Sequence, residues 1–139
     1  MLQAPPGTGK TTRVPPSLID QPWIGDRRVL VLEPRRVAAR AAATRMAHER
    51  GEQVGDTIGL RTRNDTRVSK ATRVEVVTEG VLTRMLLSDP SLDGVGAIVF
   101  DEFHERSLHA DTALAFVRET RAALRPDLRV VLMLSLIHI

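Results

Sequence analysis

Short runs of apolar, mostly branched residues alternate with longer helical stretches, and that alternation leaves few folds open. Arg28-Val-Leu-Val-Leu32, Gly96-Ala-Ile-Val-Phe100 and Arg129-Val-Val-Leu-Met133 carry almost no polar residue between their apolar ones. Runs of that length without alternation suit strands covered on both faces. Between them lie helical segments. Arg35 to Arg50 is Ala-rich, follows Pro34 and precedes Gly51, the usual order of Pro at a helix start and Gly past its end. Glu79 to Ser88 stops before Pro90, and Ser107 to Leu124 spaces Leu108, Ala110, Leu114, Ala115 and Val117 along one helix. Thr57 to Arg63 and Val68 to Thr78 alternate apolar and polar residues around Asn64-Asp65, which predicts a strand pair joined by a turn. Strand alternating with helix predicts an α/β fold, a parallel sheet with helices on both faces. The 139 residues suit one domain.

Composition removes several function classes. There is no Cys, so disulfides, thiolate zinc sites and thiol nucleophiles are excluded. The four histidines, His48, His104, His109 and His138, do not fall at metal-ligand spacing. His48 and His109 read as helix-surface residues. Aromatics are one Trp and three Phe, so the core is expected from Val, Leu, Ile and Ala. The net charge is +3, but of twenty basic residues only Lys10 and Lys70 are lysine. Arginine forks suit phosphate, although Arg richness also follows from genomic base composition. The longest apolar run, Val130 to Leu134, cannot span a bilayer. No charged segment followed by an apolar one opens the chain. The expectation is a cytoplasmic protein with no membrane partner.

Ala4-Pro-Pro-Gly7-Thr8-Gly9-Lys10-Thr11-Thr12 fits the phosphate-loop pattern, with Ala at its first Gly. Small residues let backbone N–H groups curl round phosphate oxygens. Lys10 would reach the β- and γ-phosphates and the Thr11 hydroxyl would ligate Mg²⁺. A helix from about Lys10 to Ile19 would aim its N-terminus at the anion, with Pro15-Pro16 limiting it. A Gly/Pro-rich turn with no ligand fits the same spacing. The second signal is Ala97-Ile-Val-Phe-Asp101-Glu102, a buried strand ending in two carboxylates. Ligands of parallel sheets bind at the carboxyl ends of strands. Asp101 is therefore expected beside the phosphate loop as a Mg²⁺ ligand, and Glu102 as the base that orients and deprotonates water. The structural alternative is a helix start favoured by its acidic residues.

Asp101-Glu102-Phe103-His104-Glu105-Arg106-Ser107 resembles motif II of the DEAH-box ATP-dependent helicases, with Phe where Ala is usual, and is similar to the bacterial HrpB-type members in particular. Pro34-Arg35-Arg36-Val-Ala-Ala resembles motif Ia, Gly59-Leu-Arg61-Thr-Arg63 a Gly-Tyr-x-x-Arg block with Leu60 for Tyr, and Thr78-Glu79-Gly80-Val-Leu-Thr-Arg84 motif Ib. The blocks follow the family's order. The resemblance implies a RecA-like P-loop NTPase domain that binds ATP or another NTP with Mg²⁺ through Gly7 to Thr12. It assigns catalysis to Glu102, Lys10 and Asp101, metal binding to Thr11 and Asp101, and coupling to the nucleic-acid side to His104. Arg35, Arg36 and Thr78 would contact the phosphates of single-stranded RNA or DNA. Without the resemblance, Arg35 and Arg36 read as a solvated helix start.

The family closes ATP between two RecA-like domains, the second of which supplies an arginine finger. The expectation is residues 1–133 as the first of these domains, incomplete at both ends, with a clipped strand before the phosphate loop. After Met133 the family pattern calls for Ser-Ala-Thr. Leu134-Ser-Leu-Ile-His-Ile139 stands there instead. It resembles a translated sequencing-library adapter, so 134–139 are expected to be a non-native tail. The function expected is that of a helicase motor fragment. The alternative is a nucleotide- or nucleic-acid-binding module without turnover. A small-molecule P-loop kinase accounts for neither Asp-Glu-x-His nor the Arg pair.

Overall fold

The computed structural model describes residues 2–4, 10–101 and 108–135, with side chains from 13–101 and 112–133. In chain order the described elements are β1 (Leu2–Ala4), α1 (Lys10–Leu18), β2 (Arg28–Glu33), α2 (Arg36–Glu49), β3 (Ile58–Thr62), β4 (Asp65–Arg67), β5 (Val74–Thr78), α3 (Glu79–Ser88), β6 (Val95–Phe100), α4 (Leu108–Ala123) and β7 (Arg129–Ser135). The strands form one sheet in the order β1-β7-β6-β2-β5-β3-β4. Every pairing is parallel except β3 with β4. All strands but β4 therefore end at the same edge of the sheet.

Successive side chains of a strand point to opposite faces, and the two apolar clusters follow that rule. Val29, Val31, Val74, Val76, Ala97 and Val99 face α2, which contributes Ala39, Ala43 and Met46, with Val14 and Leu18 of α1 packed alongside. Leu30, Leu32, Val77, Ile98 and Phe100 face α3 and α4, which contribute Leu82, Leu86, Ala113 and Val117. Burying one such Leu, Val or Phe contributes about 1.5–3 kcal/mol, so both helical layers are held by the sheet. Among the described residues no helix is long and apolar enough to cross a membrane.

One sequence expectation changes. Thr57 to Arg63 does turn back at Asn64, but the antiparallel partner is only β4, Asp65 to Arg67. Val74 to Thr78 instead lies parallel to β3, after a connection that crosses back to the other end of the sheet. The helix expected from about Lys10 to Ile19 is α1, which runs through Pro15 and Pro16 and ends at Leu18. Each proline removes one ladder bond late in the helix, where the Ser17 hydroxyl bonds to the Val14 carbonyl at 2.7 Å. β7 runs on past Met133 to Leu134 and Ser135, opposite Gln3 and Ala4 of β1, as the apolar pattern that continues into the tail allows. Residues 136–139 lie outside the described residues.

Two glycines stand where a side chain would be strained or crowded. Gly51 takes φ +71° just past α2, the left-handed turn that ends many helices. Gly96 stands where the β2–β6 register slips between Arg28 and Val29. A Cβ there would lie 2.6 Å from Ile24 Cγ1, so Ile24, fully buried, packs directly on the bulged backbone.

Candidate nucleotide and nucleic-acid site

The common edge gathers the described site residues from four strands. β1 ends at Ala4, and α1 starts at Lys10. Lys10, Thr11 and Thr12 thus form the first turn of α1, where backbone N–H groups lack helical partners and the dipole favours an anion. Pro5 to Gly9, including Gly7, Thr8 and Gly9, lie outside the described residues, as do the side chains of Lys10, Thr11 and Thr12.

Asp101 follows the last residue of β6. Its side chain is buried at 5% exposure, and its N–H donates to the Leu32 carbonyl at 3.1 Å. A buried carboxylate at a strand's carboxyl end is chemically apt for a hard cation. Among the described residues no three His, Cys, Asp or Glu come together as a metal cage. Mg²⁺ takes one or two protein oxygens and completes its shell with phosphates and water. The buried Asp101 carboxylate is suited to be one of those oxygens. In the sheet β7 lies between β1 and β6, and the phosphate loop beside which Asp101 is expected lies outside the described residues.

On the other side of β6, β2 and β5 bring Arg35 and Thr78 to the same edge. Glu33 is in register with Thr78. Arg35 is the N-cap of α2 and Thr78 the N-cap of α3, both with extended backbone and neither making a side-chain cap bond. Arg35 and Arg36 are exposed, while Thr78 is 9% exposed. Two helix N-termini, two guanidinium groups and a hydroxyl therefore lie on neighbouring strands, donors suited to phosphate oxygens. Glu102 and His104 fall outside the described residues. Sequence reasoning passed over Glu33, buried at 2% exposure at the end of β2. The signal was present, since it ends an apolar run just as Asp101 does.

Comparison with known proteins agrees with this geometry. Residues 1–135 match the DEAD/DEAH box helicase family. The chain is 50% identical over 133 residues to the ATP-dependent RNA helicase HrpB of Escherichia coli, covering 96% of this chain and 16% of that protein. It is 36% identical over 136 residues to the DExH-box ATP-dependent RNA helicase DExH1 of Arabidopsis thaliana, covering 95% of this chain and 14% of that protein. A crystal structure of E. coli HrpB superposes with a TM-score of 0.92 at 48% identity, covering 99% of this chain and 17% of that one. The chain thus spans about a sixth of the length of these relatives. The sheet order, the helix that starts after β1, the buried Asp101 and the matched sequence together make this chain a member of the DEAD/DEAH box helicase family.

Proposed function

We propose that the chain is the first RecA-like domain of an ATP-dependent helicase, binding Mg-ATP at the start of α1 and a single strand across the N-termini of α2 and α3. One observation carries this reading: the edge of the sheet that holds Asp101 and the start of α1 also holds Arg35 and Thr78. Phosphate chemistry and strand contact then share one rigid support. The relatives' names favour RNA as the strand.

Lys10 would bear against the β- and γ-phosphates, and Thr11 and Asp101 would hold Mg²⁺. Mg²⁺, when bound, neutralises the charge that develops on the transferred phosphoryl group. Glu102 would take a proton from the attacking water, and His104 would pass the change at the phosphates toward the strand side. Arg35, Arg36 and Thr78 would bond to phosphates, positioning the strand without reading its sequence. A second RecA-like domain would close the cleft and supply an arginine finger. Residues 1–133 would form the domain, and 134–139 would be foreign to it.

The test is phosphate release from ATP by a polypeptide carrying this domain and a second RecA-like domain, with and without single-stranded RNA. Strand-stimulated release supports the motor. Binding of both ligands with no release under either condition would leave a binding module. Release only when a small-molecule acceptor is added would point to a kinase.

A further inference from the structure

We propose that the outer face of α2 is a second nucleic-acid contact, a basic ridge for the phosphate backbone of a strand that continues past Arg35 and Thr78. This rests on the reading that a strand crosses the N-termini of α2 and α3. The inner face of α2, with Ala39, Ala43 and Met46, is fully buried on the sheet. The outer face carries Arg36, Arg40, Thr44 and His48 at every fourth position, with Val37 and Arg45 beside them. Residues four apart lie in one row on a helix, about 6 Å between neighbours. That places a hydrogen-bonding side chain at each turn, along about 21 Å of helix.

Open space of about 910 Å³ lies beside these side chains, and no acidic residue is among those described as bordering it. The side chains of Arg40 and Arg45 are 62% and 69% exposed. Arg40 pairs through one nitrogen with Asp65 at 3.4 Å, and Arg45 through one nitrogen with Glu49 at 3.4 Å. A guanidinium has five N–H donors, so each keeps donors for a phosphate. Exposed pairs of this kind are weak and yield to a stronger anion. Val37, 84% exposed, offers an apolar contact to a sugar or base. The ridge begins at Arg36, next to Arg35 at the strand-binding edge. That continuity, together with one donor per turn, favours a nucleic-acid backbone over an acidic peptide.

The test measures binding of this 139-residue chain to labelled single-stranded RNA of two lengths across a salt series. A short strand of about five nucleotides covers the edge alone, and a long one of about fifteen reaches the ridge, both within the usual range for single-strand sites. Arg40→Gln with Arg45→Gln keeps helix propensity. For the long strand this double variant should weaken binding and lower the log–log salt slope by about 1.4, the value for two lost single-strand phosphate contacts. The short strand should bind it normally. Arg35→Ala should weaken both strands, and Arg40→Lys with Arg45→Lys should keep most of the slope. An unchanged slope in the Gln variant, with Arg35→Ala still weakened, overturns the ridge and spares the edge. No binding of either strand by the unsubstituted chain overturns both. Equal competition for the long strand by polyglutamate of matched charge would reassign the ridge to an acidic peptide and refute the proposal.

Discussion

Glu75 is fully buried in the middle of the sheet, and its cost depends on its two partners. Its Oε2 accepts from Arg28 Nη1 at 2.7 Å, and its Oε1 accepts from Arg61 Nε at 2.8 Å. The three residues lie on β2, β5 and β3, so the group fastens three neighbouring strands. The burial is unequal: the Glu75 side chain is 1% exposed, against 33% for Arg28 and 35% for Arg61. Removing Glu75 leaves two cations that water still reaches. Removing both arginines leaves a carboxylate that water does not reach. Either Arg→Ala change alone should cost about 1.5–3 kcal/mol, the worth of one hydrogen bond to a charged group, because the other Arg still compensates. Arg28→Ala with Arg61→Ala should cost about 3–5 kcal/mol or more, as for an uncompensated buried charge. Glu75→Leu should cost less than about 2 kcal/mol, since an apolar replacement of a buried ion is often near neutral. Urea unfolding would show this as midpoint shifts at constant slope. The double variant should move by about 2 M if the slope is about 2 kcal/mol/M. If the double Arg variant were no less stable than Glu75→Leu, the argument from unequal burial would be wrong.

Gly96→Ala should destabilise by about 1–3 kcal/mol through overpacking, because the new Cβ would lie 2.6 Å from Ile24 Cγ1 and 3.3 Å from Arg27 Cβ; thermal unfolding checks it. The Arg125 guanidinium, bonded to Asp127 at 3.0 Å, holds that carboxyl well below the usual carboxylate range, with Arg27 adding to the effect. A depressed pKa gives stability that is complete above the unfolded value of about 4 and lost as pH falls through the folded value. Asp127→Asn should therefore lower stability at neutral pH and flatten its decline below about pH 4, as read from unfolding midpoints across pH. Glu102→Gln, in a polypeptide with both RecA-like domains, should keep ATP binding and lose about a hundred-fold or more in phosphate release.

What the sequence made legible was whatever hydrophobic runs determine locally. The cores of β2 and β6 were plain because Val29 to Leu32 and Ala97 to Phe100 are buried on both faces. Asp101 was legible for the same reason, since an apolar run stops there and a carboxylate follows, whereas Arg35 and Thr78 were marked only by their likeness to the family's motifs Ia and Ib. Strand order was not legible, because a parallel pairing is closed by long crossovers and leaves no local signal. β7 therefore entered between β1 and β6 unannounced. Glu75 misled in a different way. A polar residue between Val74 and Val76 looks like the wet side of a half-exposed strand, yet all five residues of β5 are buried. Only Arg28 and Arg61, 47 and 14 positions away, make that burial tolerable.

The most direct test of the nucleotide site is calorimetric titration of ATP into this chain and into Lys10→Ala, each with and without Mg²⁺. Lys10 opens α1 at the edge where Asp101 follows β6, so both the lysine and the metal should matter. The result expected is Mg²⁺-dependent binding by the unsubstituted chain and none by a folded Lys10→Ala variant. Equal affinity in the two chains, or binding indifferent to Mg²⁺, would contradict the assignment of phosphate and metal to this edge of the sheet.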